Sequence, residues 1–299
     1  MTRRLSGVLG PVVTPFDAAG EVDASAFRAN VRAHLAQGLS GIVVAGSTGE
    51  APLLDEDERR ALVACAREET ADDRWVVVGI GGESTRITIR RASDAAERGA
   101  DAVLVVSPHY YGSAMTTAAL RAHFLAVADA SPIPVVLYNI PKYTHAAIDP
   151  VLVGELATHQ NVIGIKDSSG DLEMLRGYLR SSAPDFAVLT GHAGTYGDAR
   201  ALGAAGGILA IALFAAHLVH DLDRAVEEGD AARRAPLQEH ARTLGREIVA
   251  QRGVAGVKAA LDQVGMTGGA VRPPLMDLDD AGREQVRAAL AAAGQASVA

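Results

Sequence analysis

The chain has 299 residues, 48% of them hydrophobic, which is material for a sizeable core in one large domain. Its 28 basic and 36 acidic residues leave a net charge of −8, which argues against nucleic acid or an anionic membrane as the main partner and means that an anionic substrate needs a local site. Cys65 is the only cysteine, so an intramolecular disulfide and a cysteine metal cluster are excluded and the cytoplasm is the expected compartment.

The start, Met1-Thr2-Arg3-Arg4-Leu5, places two arginines before an apolar run, but glycine and proline break that run and no cleavage site follows. No signal peptide is expected. No apolar run approaches the ~18 residues needed to span a bilayer.

Short apolar runs alternate with longer amphipathic segments. The first strand is predicted over Val8–Val13, closed by Thr14-Pro15-Phe16. A helix from about Ser25 carries Phe27, Val31 and Leu35 on one face and stops at Gly38. Gly41–Ala45 reads as the second strand, and Asp55 with Glu58 as a capping-box start for a helix to about Glu69. Trp75–Ile80 is the third strand, with a helix from Ser84 or Thr85 to Gly99. Ala102–Val106 is the fourth, followed by a helix over about Thr117–Asp129. Pro134–Tyr138 is the fifth, and Asp149-Pro150 opens a short helix as N-cap and first residue. The sixth strand starts near Asn161 and ends at Lys166, with Asp171 capping the helix behind it. Phe186–Leu189 is the seventh, with a helix stopping at Gly203. Gly207–Ile211 is the eighth, with a helix toward Gly229.

The strands are continuous apolar runs, as parallel strands buried on both faces must be. A doubly wound sheet can use the same units, but eight repeats favour a closed (β/α)8 TIM barrel in the α/β class. The barrel is predicted over residues 1–228. Residues 229–299 hold helix candidates near Ala231–Ile248, Val254–Val264 and Asp280–Ala293. With no linker before them, they read as a helical appendage packed on the barrel, not an independent domain.

In such a barrel the active site lies at the C-terminal ends of the strands. Lys166, in Gly164-Ile165-Lys166-Asp167, sits at one of those ends. A lysine desolvated by apolar walls favours the neutral amine, a nucleophile for carbonyl carbon. The plain alternative is a surface lysine paired with Asp167. Gly46-Ser47-Thr48-Gly49 ends the second strand. Its glycines let backbone N–H groups approach an anion, and Ser47 and Thr48 add donors. This suits a carboxylate and lacks the spacing of a phosphate loop; the alternative is an ordinary turn whose hydroxyls cap the next segment. Tyr138 can relay protons or form a core edge. His109 and His192 lack ligand-like spacing, so no metal is expected. Tyr110 and Tyr111 suit an interface, and Asp167 and Glu50 suit backbone or cap positions. Tyr143, Ser168, His192, Gly191 and Ile208 complete the strand-end residues expected to face substrate.

A lysine amine, a tyrosine hydroxyl and a carboxylate cradle at one barrel mouth suit Schiff-base chemistry on a 2-oxo acid. The iminium is the electron sink when the neighbouring C–C bond breaks or forms, without a metal or cofactor. Loss of water from a sugar acid is a sibling outcome. A 2-oxo-acid binding protein without turnover would keep the cradle but not need both Lys166 and Tyr138. A metal-dependent hydrolase would need clustered histidines and carboxylates at the strand ends.

Thr14-Pro15-Phe16, Gly46-Ser47-Thr48-Gly49-Glu50, Tyr138-Asn139-Ile140-Pro141 and Gly164-Ile165-Lys166-Asp167 together resemble the dihydrodipicolinate synthase and N-acetylneuraminate lyase superfamily of class I pyruvate-dependent aldolases. The resemblance spans nearly the whole chain. It implies that Lys166 forms the Schiff base, that Tyr138 shuttles protons, and that Ser47 and Thr48, with Gly46, bind the pyruvyl carboxylate. It implies that Tyr110 reaches into a neighbouring subunit's site in a homotetramer built as a dimer of dimers. Dihydrodipicolinate synthases carry an arginine two residues after the proline of the Tyr-Asn-x-Pro motif. Here that residue is Tyr143, which removes the expected clamp for a second carboxylate and points away from lysine biosynthesis. Sialic acid lyases place acidic residues where Ala193 and Gly194 stand. Ser107-Pro108-His109-Tyr110-Tyr111-Gly112, Lys166-Asp167-Ser168-Ser169-Gly170-Asp171 and Gly253-Val254-Ala255-Gly256-Val257-Lys258 look most like 4-hydroxy-2-oxoglutarate aldolases. The expected reaction is cleavage of a 4-hydroxy-2-oxo acid, such as 4-hydroxy-2-oxoglutarate or a 2-keto-3-deoxy sugar acid, to pyruvate and an aldehyde. Sugar-acid dehydration and dihydrodipicolinate synthesis are the alternatives within the superfamily.

Overall fold

In the computed structural model, which describes residues 4–295, eight parallel strands close into one barrel in chain order. They are β1 (Gly7–Pro11), β2 (Gly41–Val44), β3 (Trp75–Gly79), β4 (Ala102–Val106), β5 (Val135–Asn139), β6 (Val162–Asp167), β7 (Ala187–Thr190) and β8 (Gly206–Ile208). The helices between and after them are α1 (Ala24–Ala36), α2 (Glu56–Glu68), α3 (Thr85–Glu97), α4 (Thr117–Ala130), α5 (Pro141–Thr144), α6 (Pro150–Leu156), α7 (Leu172–Ser181), α8 (Tyr196–Ala201) and α9 (Ala216–Glu227). Three more, α10 (Ala231–Leu244), α11 (Gln251–Gln263) and α12 (Asp280–Ala292), follow the barrel. The leader reading rested partly on Met1-Thr2-Arg3, which lie outside the described residues. No helix among the described residues is long and apolar enough to cross a membrane.

The apolar runs are continuous because each strand feeds two cores. Ile42 and Val44 of β2 pack outward under the helices, whereas Val43 points into the barrel beside Leu9, Val77 and Leu104. The two-residue repeat of a strand assigns alternate side chains to the two layers. Each fully buried Val or Leu contributes ~1.5–3 kcal/mol relative to exposure.

Several boundaries follow the expected capping chemistry. Asp55 Oδ1 accepts the Glu58 N–H while Glu58 returns a bond to the Asp55 N–H, forming the expected box at α2. Asp149 caps α6 through the Val151 N–H, with Pro150 at its first position.

Others differ from expectation. β1 stops at Pro11 rather than Val13, although the Val12 N–H still donates to the Val43 carbonyl of β2 at 3.1 Å. β8 stops at Ile208 rather than Ile211, and Ala210–Leu213 coil into a 3-10 turn where the pairing with β1 runs out. β6 runs one residue past Lys166, to Asp167. A one-turn helix, α5, follows the Tyr-Asn-Ile-Pro stretch and ends at His145 in the left-handed region, φ 56°.

The segment expected to be one helix over Ala231–Ile248 is α10 followed by a π-helical turn, Gly245–Ala250, that leads into α11. Gly253, at φ 58° and ψ −144°, then breaks the helical path. This stretch lies against the mouth of the barrel, and α12 packs on it from outside.

Candidate active site

The ladder between β5 and β6 builds the centre of the site. It pairs Leu137 with Ile165, Tyr138 with Lys166 and Asn139 with Asp167. Paired residues on parallel neighbours face the same side. Tyr138 and Lys166 therefore point into the barrel, while Asn139 and Asp167 point away from it. Lys166 Nζ lies 4.2 Å from the centroid of the Tyr138 ring, and both residues are buried.

Asp167 is not the partner of Lys166. Its carboxylate accepts Asn139 Nδ2 at 2.7 Å, Ser169 Oγ at 2.8 Å and the Ser169 N–H at 3.1 Å. Burial raises the Asp167 carboxyl above the usual carboxylate range, although these hydrogen bonds pull it down. Asn139 Oδ1 accepts the Ile148 N–H at 3.0 Å, so the Asn139–Asp167 pair also ties β5 and β6 to the chain after α5. Among the described residues Lys166 makes no ion pair. It sits at the mouth with a ring beside it and no carboxylate against it.

Gly191, after β7, makes room for this amine. A Cβ there would lie 2.8 Å from Lys166 Cε and 2.1 Å from Ser168 Oγ. The Gly191 N–H donates to the Asp167 carbonyl at 2.6 Å, so the backbone cannot easily withdraw.

A cavity of about 420 Å³ opens above Lys166, within the size range of small-molecule sites. Tyr138, Lys166, Ser47, Thr48, Tyr143 and Ser168 line it, together with Gly191 and Ile208. These eight were expected from the sequence. Gly46 does not line it; its carbonyl is taken by the N–H groups of Gly49 and Ala51, which bends the turn that presents Ser47 and Thr48. Tyr110 lies outside it, 76% exposed, in an edge-to-face pair with Tyr111 on the loop after β4.

The cradle loop is held from below. Thr14 Oγ1 donates to the Gly49 carbonyl at 2.8 Å. Glu50 follows in the left-handed region, φ 58°, an uncommon place for a residue with a side chain. Its buried carboxylate lies 2.5 Å from Lys258 Nζ and accepts the Arg272 N–H at 2.8 Å. Lys258 also donates to the Ala270 carbonyl at 2.6 Å, and its Nζ stands 4.6 Å from the centroid of the Phe16 ring. Burial lowers the Lys258 pKa, and Glu50 opposes that shift. Glu50 thus holds a backbone position, as expected, but also a buried ion pair that spans β2 and α11. The partner was not legible, because 208 residues separate Glu50 and Lys258 and no local pattern joins them.

The sequence reading also missed the cations of the outer wall. Lys142, Arg242 and Arg246 line the cavity, the last two from α10 and the π-helical turn. Lys142 donates to the Ala250 carbonyl at 3.3 Å. Among the lining residues no aspartate or glutamate occurs. The missing arginine at Tyr143 therefore does not leave the cavity without guanidinium groups. The signal that could have found them is the arginine pair four residues apart, one helical turn, in the segment after the barrel.

His192 lines the same wall, its Nδ1 3.2 Å from Thr195 Oγ1, and burial lowers its pKa. Burial raises the Tyr143 hydroxyl, with the Tyr138 phenol adding to the shift.

Comparison with known proteins agrees with this architecture. Residues 4–293 match the model of the dihydrodipicolinate synthetase family. The 4-hydroxy-tetrahydrodipicolinate synthase of Agrobacterium fabrum is 38% identical over 290 residues, covering 96% of this chain and 98% of the relative. Dihydrodipicolinate synthase from Aquifex aeolicus superposes with a TM-score of 0.92 at 29% identity, covering 99% of this chain and all of the other. YagE from E. coli K12, a prophage protein of the dihydrodipicolinic acid synthase family solved in complex with pyruvate, gives a TM-score of 0.91 at 30% identity, covering 97% of this chain and 99% of that one. The chain belongs to the dihydrodipicolinate synthetase family, and is a class I pyruvate-dependent aldolase that works through a lysine Schiff base without a cofactor.

Proposed function

We propose that Lys166 is the Schiff-base lysine and that the protein cleaves a 4-hydroxy-2-oxo acid to pyruvate and an aldehyde. The observation that carries this reading is the buried Lys166 amine beside the Tyr138 ring, with no carboxylate against it, at the floor of a cavity edged by Ser47 and Thr48.

The Lys166 amine adds to C2 of the 2-oxo acid, and the Tyr138 hydroxyl gives its proton to the C2 oxygen, which leaves as water to give the iminium and the Tyr138 phenolate. Ser47 and Thr48 hold the C1 carboxylate. The Tyr138 oxygen takes the proton from the C4 hydroxyl as the C3–C4 bond breaks. The bonding pair moves into the iminium to give the enamine, and the aldehyde leaves. Protonation at C3 and hydrolysis of the imine then release pyruvate and restore Lys166. Tyr138 contributes through its position beside Lys166, so its hydroxyl must reach the substrate oxygen. Gly191 and Ser168 border the path of the amine, and Ile208 supplies an apolar wall.

A second reading has the enamine add to an aldehyde, the direction that the Agrobacterium fabrum relative's name describes. Its 38% identity favours this reading, whereas Tyr143 in place of the expected arginine disfavours it. Dehydration of a sugar acid is the remaining sibling. Borohydride reduction with pyruvate should add a reduced pyruvyl mass at Lys166; a folded protein that never traps pyruvate would end the proposal. A panel of 4-hydroxy-2-oxoglutarate, 2-keto-3-deoxygluconate, N-acetylneuraminate and pyruvate with aspartate semialdehyde, read by coupled detection of pyruvate, separates the reactions.

We also read Tyr110 as reaching a neighbouring copy's site in a homotetramer, supported by its exposure and its pairing with Tyr111. Sedimentation of the wild type and of Tyr110→Ala tests that reading. Residues 229–299 serve as part of the site rather than as an independent unit, supported by Arg242 and Arg246 in the cavity wall. The cytoplasm is the proposed compartment, supported by a single, buried and unpaired cysteine.

A further inference from the structure

The cavity has two chemically different ends. Its floor carries Lys166, Tyr138 and the Ser47-Thr48 cradle, which between them occupy the reacting carbons and one carboxylate. Its outer wall carries Lys142, Arg242 and Arg246; no carboxylate lines the cavity, and Glu239 and Glu247, which pair with the two arginines, stand outside the lining. A chain of net charge −8 has here gathered three cations on one wall, where its overall field would repel an anion.

Arg242 stands in the last turn of α10, and Arg246 is placed by unusual backbone. Arg246 stands in the π-helical turn Gly245–Ala250, a distortion that recurs at functional sites. Gly245 lets this turn approach the loop after β7, because a Cβ there would lie 2.9 Å from the Ala193 Cβ. Arg246 spends Nε on Glu247 at 2.9 Å, and its two terminal nitrogens carry no hydrogen bond among the described residues. Arg242 spends one terminal nitrogen on Glu239, three residues before it on the exposed side of α10. Each guanidinium therefore keeps donors for a further acceptor, in the fork geometry that matches a carboxylate.

We propose that Arg242 and Arg246 form the subsite for a second carboxylate, so that the substrate is a dicarboxylic 2-oxo acid rather than one with a neutral polyol or alkyl tail. This rests on the Schiff-base reading of Lys166. The subsite sits on the helices after the barrel, so substrate choice is set by a segment distinct from the catalytic strand ends. It takes over the role that an arginine at the position of Tyr143 would have played.

The test uses borohydride trapping, which requires imine formation and no turnover. Half-saturating concentrations are measured for 2-oxoglutarate and for 2-oxopentanoate, which has the same chain length without the distal carboxylate. In the wild-type protein 2-oxoglutarate should trap at a concentration roughly tenfold to a hundredfold lower, the worth of a charge-assisted hydrogen bond. Arg242→Gln with Arg246→Gln should bring the ratio near one, and Arg246→Lys should restore part of it. A wild-type ratio near one, or a ratio that the glutamine variants leave unchanged, overturns the proposal. The ratio is taken within each variant, so a general loss of fold or reactivity does not imitate the expected result. A wild-type protein that traps no 2-oxo acid at all, pyruvate included, overturns the Schiff-base reading itself and this subsite with it.

Discussion

Tyr138 and Lys166 are register partners on β5 and β6, and the lysine Nζ lies 4.2 Å from the tyrosine ring centroid. One ladder step thus sets the distance between amine and phenol, and neither depends on a mobile loop. Removing either group should separate binding from chemistry. Lys166→Ala is expected to abolish borohydride trapping altogether. Tyr138→Phe should still trap pyruvate but lose ~10²–10⁴-fold in kcat, the usual worth of general acid–base catalysis. Near-native turnover in the phenylalanine variant would remove Tyr138 from the mechanism.

Gly191→Ala tests how tightly the amine is housed. The new Cβ would meet Lys166 Cε and Ser168 Oγ well inside contact distance. The expected cost is ~1–3 kcal/mol in stability for the overpacking. The displaced amine should lose about 100-fold in turnover, as a misplacement of about 1 Å can. Chemical denaturation and the rate of pyruvate trapping measure the two effects; an unaffected trapping rate would show that Gly191 does not shape the site.

The Lys258–Glu50 pair is buried beneath the cradle, and its two partners come from α11 and the β2 loop. Lys258→Met or Glu50→Gln alone should cost ~3–5 kcal/mol, because each leaves a buried group without its partner. The double variant should be more stable than that sum predicts. Both single variants should also raise the half-saturating pyruvate concentration, since Ser47 and Thr48 precede Glu50 in the same turn. Urea titration of the four proteins, with pyruvate trapping, checks both. Additive losses would argue against a coupled pair.

His34 gives a pH dependence. It is fully buried on α1, neither ring nitrogen has a hydrogen-bond partner among the described residues, and burial lowers its pKa to about 4. The unfolded chain binds a proton near pH 6.5 that the folded chain refuses until about pH 4. Stability from this residue is therefore complete above about pH 6.5 and declines as pH falls toward 4, by ~3 kcal/mol at most. Relative to His34→Leu, the wild type should lose unfolding free energy across that window on acidification. A difference that is constant with pH would mean that His34 is not held neutral.

How much was legible in the sequence depends on the range of the interaction. Apolar runs eight times over, each followed by an amphipathic segment, pointed to a parallel sheet, because strands buried on both faces have no polar side to show, and the count of eight favoured a closed barrel over a doubly wound sheet. Capping residues such as Asp55 and Asp149 marked helix starts, since their partners lie two or three residues away. The strand-end set of Lys166, Tyr138, Ser47 and Thr48 could be named because the fold sends all strand ends to one mouth.

What only the tertiary structure decided were pairings between distant segments. Composition could not say whether Lys166 leans on Asp167 or on Tyr138. The ladder between β5 and β6 decides it, turning one pair inward and the neighbouring pair outward. Nor could any local pattern join Glu50 to Lys258, or bring Arg242 and Arg246 to a cavity whose floor is laid by residues 47 to 208. Those contacts arise because the helices after the barrel fold back over its mouth, which loop closure permits at small entropic cost but no sequence period records.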